Sequence, residues 1–387
     1  MNTIYKGIVT LIKSAVTQQE LVLPADFSLE EAYPQIRRHS LIPLAYDGAA
    51  RCGIARQEPV MQILFAGYIR ALQISEGQMK QVDRICGVFE ENGIDYMPLK
   101  GCNMKKMYPA PELRTMGDAD ILIRMEQYEK IVPLMESLGF QAELESDHEL
   151  IWKHPGLYLE LHKRVIPSYN EDYYAYFGDG WKLARKGEGN RYHMDPEDEF
   201  IYEVTHFAKH FRDGGIGCRH VTDLWLLANR QDLDWNRIHT GLEKLQLLEF
   251  WNNIQNLIDL WFSDGEADET TAFLTEYIFA SGNWGLAEEH FLSGVLRKER
   301  KNPAESSKLG YVLSSMFPDL NSLKRKYTVL NKAPWLLPAV WVYRPVYKIL
   351  FERRDVTRKA ENIKLVTDEK VEGKRAMLRS VGLDFNF

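Results

Sequence analysis

The stretch from Tyr96 to Arg124, YMPLKGCNMKKMYPAPELRTMGDADILIR, constrains the fold more than any other part of the chain. A short apolar run ends in Lys100-Gly101, a turn of helix follows, and Asp118 and Asp120 then open a second apolar run. Side chains two apart on an extended chain share a face, so both carboxylates can reach one point. Two carboxylates a few ångströms apart do not both stay ionised unaided. Such a pair at the edge of a sheet is a site for a hard divalent cation.

The surrounding pattern sets the fold class. Residues 1 to about 92 read as helical: apolar residues recur at spacings of three and four in Ile4, Ile8, Leu11 and Ile12, and again in Val60, Ile63, Leu64, Tyr68 and Leu72. Ser28 followed by Glu31 is a capping box. A helix from about Ser75 to Glu91 is expected to stop at Asn92-Gly93. Ile94 to Leu99 then reads as a strand, Asn103 to Tyr108 as a short helix, Asp118 to Arg124 as a strand and Glu126 to Leu138 as a helix, with Pro133 an awkward residue in its middle. Three more strands are expected at Phe140 to Leu144, Glu149 to His154 and Leu157 to His162, the last two joined by Pro155-Gly156. Leu157, Leu159 and Leu161 share one face; Tyr158, Glu160 and His162 share the other. This order predicts an α+β fold, a mixed sheet with helices on one side. Loops are expected from Val165 through Asn190. A helix opens at Asp195-Pro196 and runs to about Phe211, and further helices follow DGGIG to about Leu296. Four regions result: an N-terminal helical region (1–92), the α+β core (93–165), a helical substrate-shaping region (166–300) and a C-terminal helical extension (301–387). Within the extension, the helical pattern is weaker at Ser306 to Phe317 and near residue 345, and the Lys- and Arg-rich end after Arg353 is expected to be partly disordered.

Composition narrows the class. The length of 387 residues fits more than one domain, and 45% hydrophobic with 27% charged residues is ordinary for a folded protein. A net charge of −7 argues against a long polynucleotide partner, which demands a basic track, and no DNA is expected. The four cysteines, at 52, 86, 102 and 218, lack CxxC spacing, so neither a disulfide framework nor a zinc site is expected, and a reducing, cytoplasmic location fits. The N-terminus lacks the pattern of a signal peptide. Ala333 to Phe351, APWLLPAVWVYRPVYKILF, is apolar and aromatic but is broken by prolines, Arg344 and Lys348, so it does not read as a transmembrane segment. It reads as a packed or interface segment, with contact to a membrane surface as the rival.

Several motifs recur in a fixed order: Leu99-Lys100-Gly101, then Arg114-Thr-Met-Gly-Asp118-Ala-Asp120, then Glu160-Leu161-His162. Downstream come His206 and His210 in THFAKHF, and Arg219 and Asp223 in RHVTDLWLL. From about Ile94 to Leu227 the chain resembles the bacterial uncharacterised nucleotidyltransferases of the polymerase-beta-like superfamily, whose pattern is L-K-G, R-x-x-x-D-x-D and E-L-H. The resemblance implies a nucleoside triphosphate, such as ATP, as donor and a hydroxyl of a small molecule, sugar or protein as acceptor. It implies one or two magnesium ions held by Asp118, Asp120 and Glu160, with Glu160 also helping to deprotonate the acceptor. It implies Lys100 and Arg114 as the cations facing the phosphates, and Gly101 as the place of close backbone approach. The wider superfamily carries Gly-Ser or Gly-Gly where this chain has Lys100-Gly101. Triphosphate binding would then rest on Lys100 and on backbone N–H groups after Gly101.

Each role has a plainer rival. Lys100 could be a solvated strand end, Arg114 a structural partner of Asp118 or Asp120, and Glu160 an exposed strand carboxylate. His162 is equally well a satisfied histidine beside the sheet or a substrate contact. His206 and His210, four apart, can share a helix face, but zinc would need further ligands; packing or a substrate pocket is the simpler reading. Arg219 and Asp223 read first as an intrahelical ion pair, with a pocket role second. At the level of function, the rivals are a nucleotide-binding module with weak or absent transfer, and the toxin half of a toxin–antitoxin pair.

Overall fold

The computed structural model describes residues 1–283, 285–301, 329–351 and 367–383, with 317, 318, 320, 323 and 327. They fall into two units, one of Met1–His210 with Ile216–Trp284, the other of Phe211–Gly215 with Gly285–Phe385.

The first unit opens with four helices: α1 (Thr3–Thr17), α2 (Leu29–Arg38), α3 (Ile42–Arg51) and α4 (Pro59–Glu91). The Ser28 side chain accepts the Glu31 N–H at the start of α2, as one half of the capping box requires. The two apolar patterns seen before Gly93 belong to one helix: α4 runs 33 residues without interruption. Nothing between Leu72 and Ser75 breaks a helix, so the two stripes join. Gln78, Val82, Ile85 and Phe89 keep the spacing of one buried face. The helix stops where Gly93 adopts φ +65°, a conformation that side chains with a Cβ resist.

A five-stranded sheet follows: β1 (Tyr96–Leu99), β2 (Asp118–Ile123), β3 (Gln141–Glu145), β4 (Glu149–His154) and β5 (Leu157–His162), in spatial order β1-β2-β5-β4-β3. β2 and β5 run parallel; the other pairs are antiparallel. The fold is thus mixed α+β, as the order of elements predicts. Between β1 and β2 lie α5 (Gly101–Met104) and two 3-10 turns, and α6 (Tyr128–Ser137) joins β2 to β3 with Pro133 inside it.

Strand alternation decides which side carries chemistry. Ala119, Ile121 and Ile123 of β2, with Leu157, Leu159 and Leu161 of β5, lie in one core with Val82, Ile85 and Phe89 of α4 and Ile131 and Met135 of α6. Each such side chain contributes about 1.5–3 kcal/mol when fully buried, so the sheet cannot be turned over without losing the core. Asp118, Asp120, Glu160 and His162 are thereby held on the opposite face.

Beyond the sheet the structure differs from the expected loops. Glu171–Phe177 is a helix (α7), and Ala184–Lys186 (β6) pairs with Tyr192–Met194 (β7). These elements are three to seven residues long, too short for periodicity to register, though Tyr173 and Phe177 are both buried at helical spacing. The helices α8 (Pro196–Asp213, in this unit as far as His210), α9 (Cys218–Ala228), α10 (Trp235–Lys244), α11 (Leu248–Phe262) and α12 (Glu269–Ser281) follow.

The second unit contains α13 (Ala287–Lys301) and helices at Val329–Lys332, Leu337–Phe351 and Asp368–Ser380. Leu292, Val295 and Leu296 pack with Val371, and Leu323 and Leu330 with Val340. Among the described residues no helix is long and apolar enough to cross a membrane. Of the two stretches with a weaker helical pattern, the one near residue 345 is helical, while most of Ser306 to Phe317, like the expected disorder directly after Arg353, lies outside the described residues; further on, Asp368–Ser380 is helical.

Candidate active site

The parallel register of β2 and β5 sets Asp120 opposite Glu160, Asp118 opposite Tyr158 and Leu122 opposite His162. β1 brings Leu99 opposite Asp120, which delivers Lys100 to the same place. Lys100 has φ 42° and ψ −118°, a strained conformation for a residue with a side chain. Its Nζ donates to Asp120 Oδ1 at 2.8 Å. His162 Nε2 meets the same oxygen at 2.8 Å and lies 3.4 Å from Glu160 Oε2. Asp120, Glu160 and His162 each offer a ligand atom, and these atoms lie within 4.8 Å of one another. Asp118 is not one of that compact group but precedes Asp120 by two residues on the same face of β2.

The electrostatics separate the two aspartates. Burial pushes Asp120 upward, but the Lys100 ammonium and the hydrogen bond and charge of His162 hold it well below the usual carboxylate range. Asp118 has no such clamp. Burial, then the charges of Asp120 and Glu160, raise it to about 6. His162 is depressed by burial and by Lys100, yet its bonds to Asp120 and Glu160 carry it above its ordinary value. This acidic surplus, with carboxylates drawn from two strands, fits a divalent cation. Magnesium prefers oxygen, so that ion would take the carboxylates Asp118, Asp120 and Glu160 as donors, with His162 hydrogen-bonded to Asp120.

Arg114 goes elsewhere. Its Nε and Nη2 donate to Asp223 Oδ1 and Oδ2, both at 2.9 Å, and the Tyr108 hydroxyl donates to Oδ1 at 2.8 Å. Neither Asp118 nor Asp120 is its partner. The intrahelical Arg219–Asp223 ion pair expected from their spacing does not form, because Arg114 and Tyr108 occupy the carboxylate. Arg219 instead donates from Nη1 to the Thr115 carbonyl at 2.6 Å, with Nη2 3.2 Å from His220 Nε2. Its Nε is buried without a hydrogen-bond partner, and its charge is felt at Asp118. At Gly101 a Cβ would come within 3.0 Å of Arg114 Nη1 and of Met116 Sδ, so the close approach there is to these side chains. The helix after Gly101 is a single turn.

On α8, His206 and His210 contact each other, Nε2 to Nε2 at 2.9 Å. Burial first, then electrostatic interaction with His210, Lys100 and Lys209, drives His206 well below its ordinary value. The same helix supplies residues that motif reading passed over. Glu199, Tyr202 and Glu203 line a small pocket with Leu99, Lys100 and Asn103. Asn103 Nδ2 donates to Glu199 Oε1 at 3.1 Å. The signal was present: Glu199, Glu203, His206 and His210 recur at spacings of four, three and four, a polar stripe along a helix that is otherwise largely buried.

The profile of a family described as uncharacterised nucleotidyltransferase matches residues 25–263, which spans the sheet and the helices through α11. The chain belongs to this family of nucleotidyltransferases. The match takes in all the motif residues from Lys100 to Asp223. Among solved structures, that of the antibiotic-resistance factor ANT(2'')-Ia is 14% identical with a TM-score of 0.32, over 45% of this chain and 90% of that one. No curated protein matches the chain.

Proposed function

We propose that this nucleotidyltransferase moves a nucleoside monophosphate from a nucleoside triphosphate to a hydroxyl of a small molecule, sugar or protein, with the help of a divalent cation. The observation that carries the reading is the meeting of Asp120, Glu160 and His162, with the ionisable Asp118 beside them, on the one sheet face that the core leaves for chemistry. In the reaction the acceptor oxygen forms a bond to the α-phosphorus, the bond to the bridging oxygen breaks and pyrophosphate leaves. The acceptor's proton passes to Glu160, the half-buried carboxylate of the group. Asp118, Asp120 and Glu160 would hold magnesium, which supplies charge neutralisation at the attacking and leaving oxygens when bound. His162 keeps Asp120 oriented, and Lys100 keeps it ionised.

The phosphates need further cations. With the Nε/Nη2 edge of Arg114 committed to Asp223, we assign that role to Arg219, whose buried Nε has a hydrogen bond still to give. The pocket beside Lys100, Tyr202 and Glu203 is our candidate for part of the acceptor site. The acidic total charge favours a compact acceptor over a polynucleotide.

The test is incubation of the chain with each of four labelled nucleoside triphosphates, magnesium and fractionated cell extract, scoring labelled product and pyrophosphate. Magnesium-dependent label transfer, lost at least a hundredfold in Asp120→Asn, supports the reading. Transfer at equal rate in that variant removes the acidic group from the mechanism. Saturable nucleotide binding without turnover in any fraction would favour a binding module.

A further inference from the structure

The helix Leu337–Phe351 is apolar on two opposite sides. Its inner side is explained: Val340 is buried with Leu323 and Leu330, and Trp341 packs against this cluster while its Nε1 donates to the Pro318 carbonyl at 2.8 Å. Its outer side is not. Val342, Tyr343, Val346 and Leu350 are exposed, Val342 by 68% and Leu350 by 64%, and Trp335, in the turn just before the helix, by 75%. These positions follow the spacing of one helical stripe. Isolated exposed apolar residues are common, but a continuous stripe of them marks a contact surface.

The charge around the stripe indicates what it contacts. From residue 321 to 360 the chain has ten Lys and Arg against two acidic residues, although the whole chain is −7. In sequence the runs Lys324-Arg325-Lys326 and Arg353-Arg354 come before and after the helix, and Lys332, five residues ahead of it, is exposed. An apolar and aromatic helical face within so basic a stretch of chain has the two elements that hold a helix in the plane of an anionic bilayer, apolar insertion and attraction to acidic headgroups. Tyr and Trp suit the boundary between headgroups and acyl chains. A partner of neutral or basic surface would leave the charge excess without purpose.

We propose that the outward face of the Leu337–Phe351 helix docks this chain onto an anionic lipid surface. Val342, Tyr343, Val346 and Leu350 enter the headgroup boundary, and the flanking lysines and arginines meet the lipid charge. The contact is peripheral, lying on the membrane without spanning it.

The experiment is flotation of the full chain with vesicles of phosphatidylcholine alone and of phosphatidylcholine with 30% phosphatidylserine, at 0.1 and 0.5 M NaCl. The expected result is at least tenfold more protein on the anionic vesicles, a several-fold drop at the higher salt, and a tenfold loss in V342E/V346E whose circular dichroism and melting curve match the parent. K324E/K326E, which leaves the stripe intact, is expected to reduce binding to anionic vesicles only. Absence from both kinds of vesicle overturns the proposal, as does anionic binding unchanged in both variants. A concentration-dependent dimer that V342E/V346E dissolves, with no vesicle binding, also overturns it and gives the stripe to a second copy of the chain.

Discussion

Replacing Asp223 with Leu removes the acceptor of three buried donors at once. The Arg114 and Asp223 side chains are 6% and 5% exposed, and their two hydrogen bonds are both 2.9 Å. Removing one member of such a pair leaves a charge in a site without water, a loss of about 3–5 kcal/mol. The Tyr108 hydroxyl also loses its acceptor. For a unit of this size each kcal/mol shifts the melting temperature by roughly 2–4 °C, so Asp223→Leu should melt on the order of 10 °C lower. The double variant Arg114→Met with Asp223→Leu removes the stranded charge and should recover much of that loss, because an apolar pair of similar size often replaces a buried ion pair at little cost. Melting curves of the four proteins in the cycle, followed by circular dichroism and tryptophan fluorescence, measure the coupling. A drop below about 1 kcal/mol in Asp223→Leu, or strictly additive losses in the double variant, would refute the account of Arg114 as a fixed strut.

Other expectations follow from the same geometry. Burial, then the charge of Asp223, raises Glu203 to about 8 against the opposing pull of Arg114. The folded chain therefore keeps this proton over a range where the unfolded chain has lost it, so Glu203 costs stability increasingly as pH rises from about 4.5 to 8. Glu203→Gln should melt higher than the parent at pH 8, with the gap closing toward pH 5; an unchanged gap would contradict the assignment. Gly101→Ala places a Cβ within 3.0 Å of Arg114 and Met116. Since Arg114 is fixed by Asp223, thermal denaturation should show a loss of about 1–3 kcal/mol. Arg219→Met should raise the KM for the nucleoside triphosphate about tenfold or more. A KM within twofold of the parent would return the phosphate role to another cation.

The sheet was readable because its physics is local. β5 alternates apolar and polar residues along its length and β2 does so in its first half, Pro155-Gly156 fixes the turn between β4 and β5, and the core on one face forces the acids to the other. Those same alternations placed Glu160 and His162 together. What one strand does cannot reveal which strand lies beside it, so the parallel register that sets Asp120 against Glu160 came only from the fold. Arg114 shows the limit most clearly. Four residues from Asp118, it reads in sequence as a phosphate-facing cation or a partner of the nearby acids, but its partner is 109 residues away on α9. The Arg219–Asp223 spacing misled in the same way: two residues four apart can pair on a helix, but a buried guanidinium with two hydrogen bonds to give outcompetes a neighbour on the same turn. The pocket residues of α8 were marked by their helical spacing, which motif matching does not weigh.

Manganese, an EPR-visible substitute for magnesium, tests the acidic cluster most directly. The free-ion signal is followed while the ion is titrated into the parent, Asp120→Asn and Glu160→Gln, each with and without ATP. The account predicts binding by the parent and at least a tenfold weaker affinity in both variants with their melting curves preserved. Equal manganese affinity in all three proteins would contradict it.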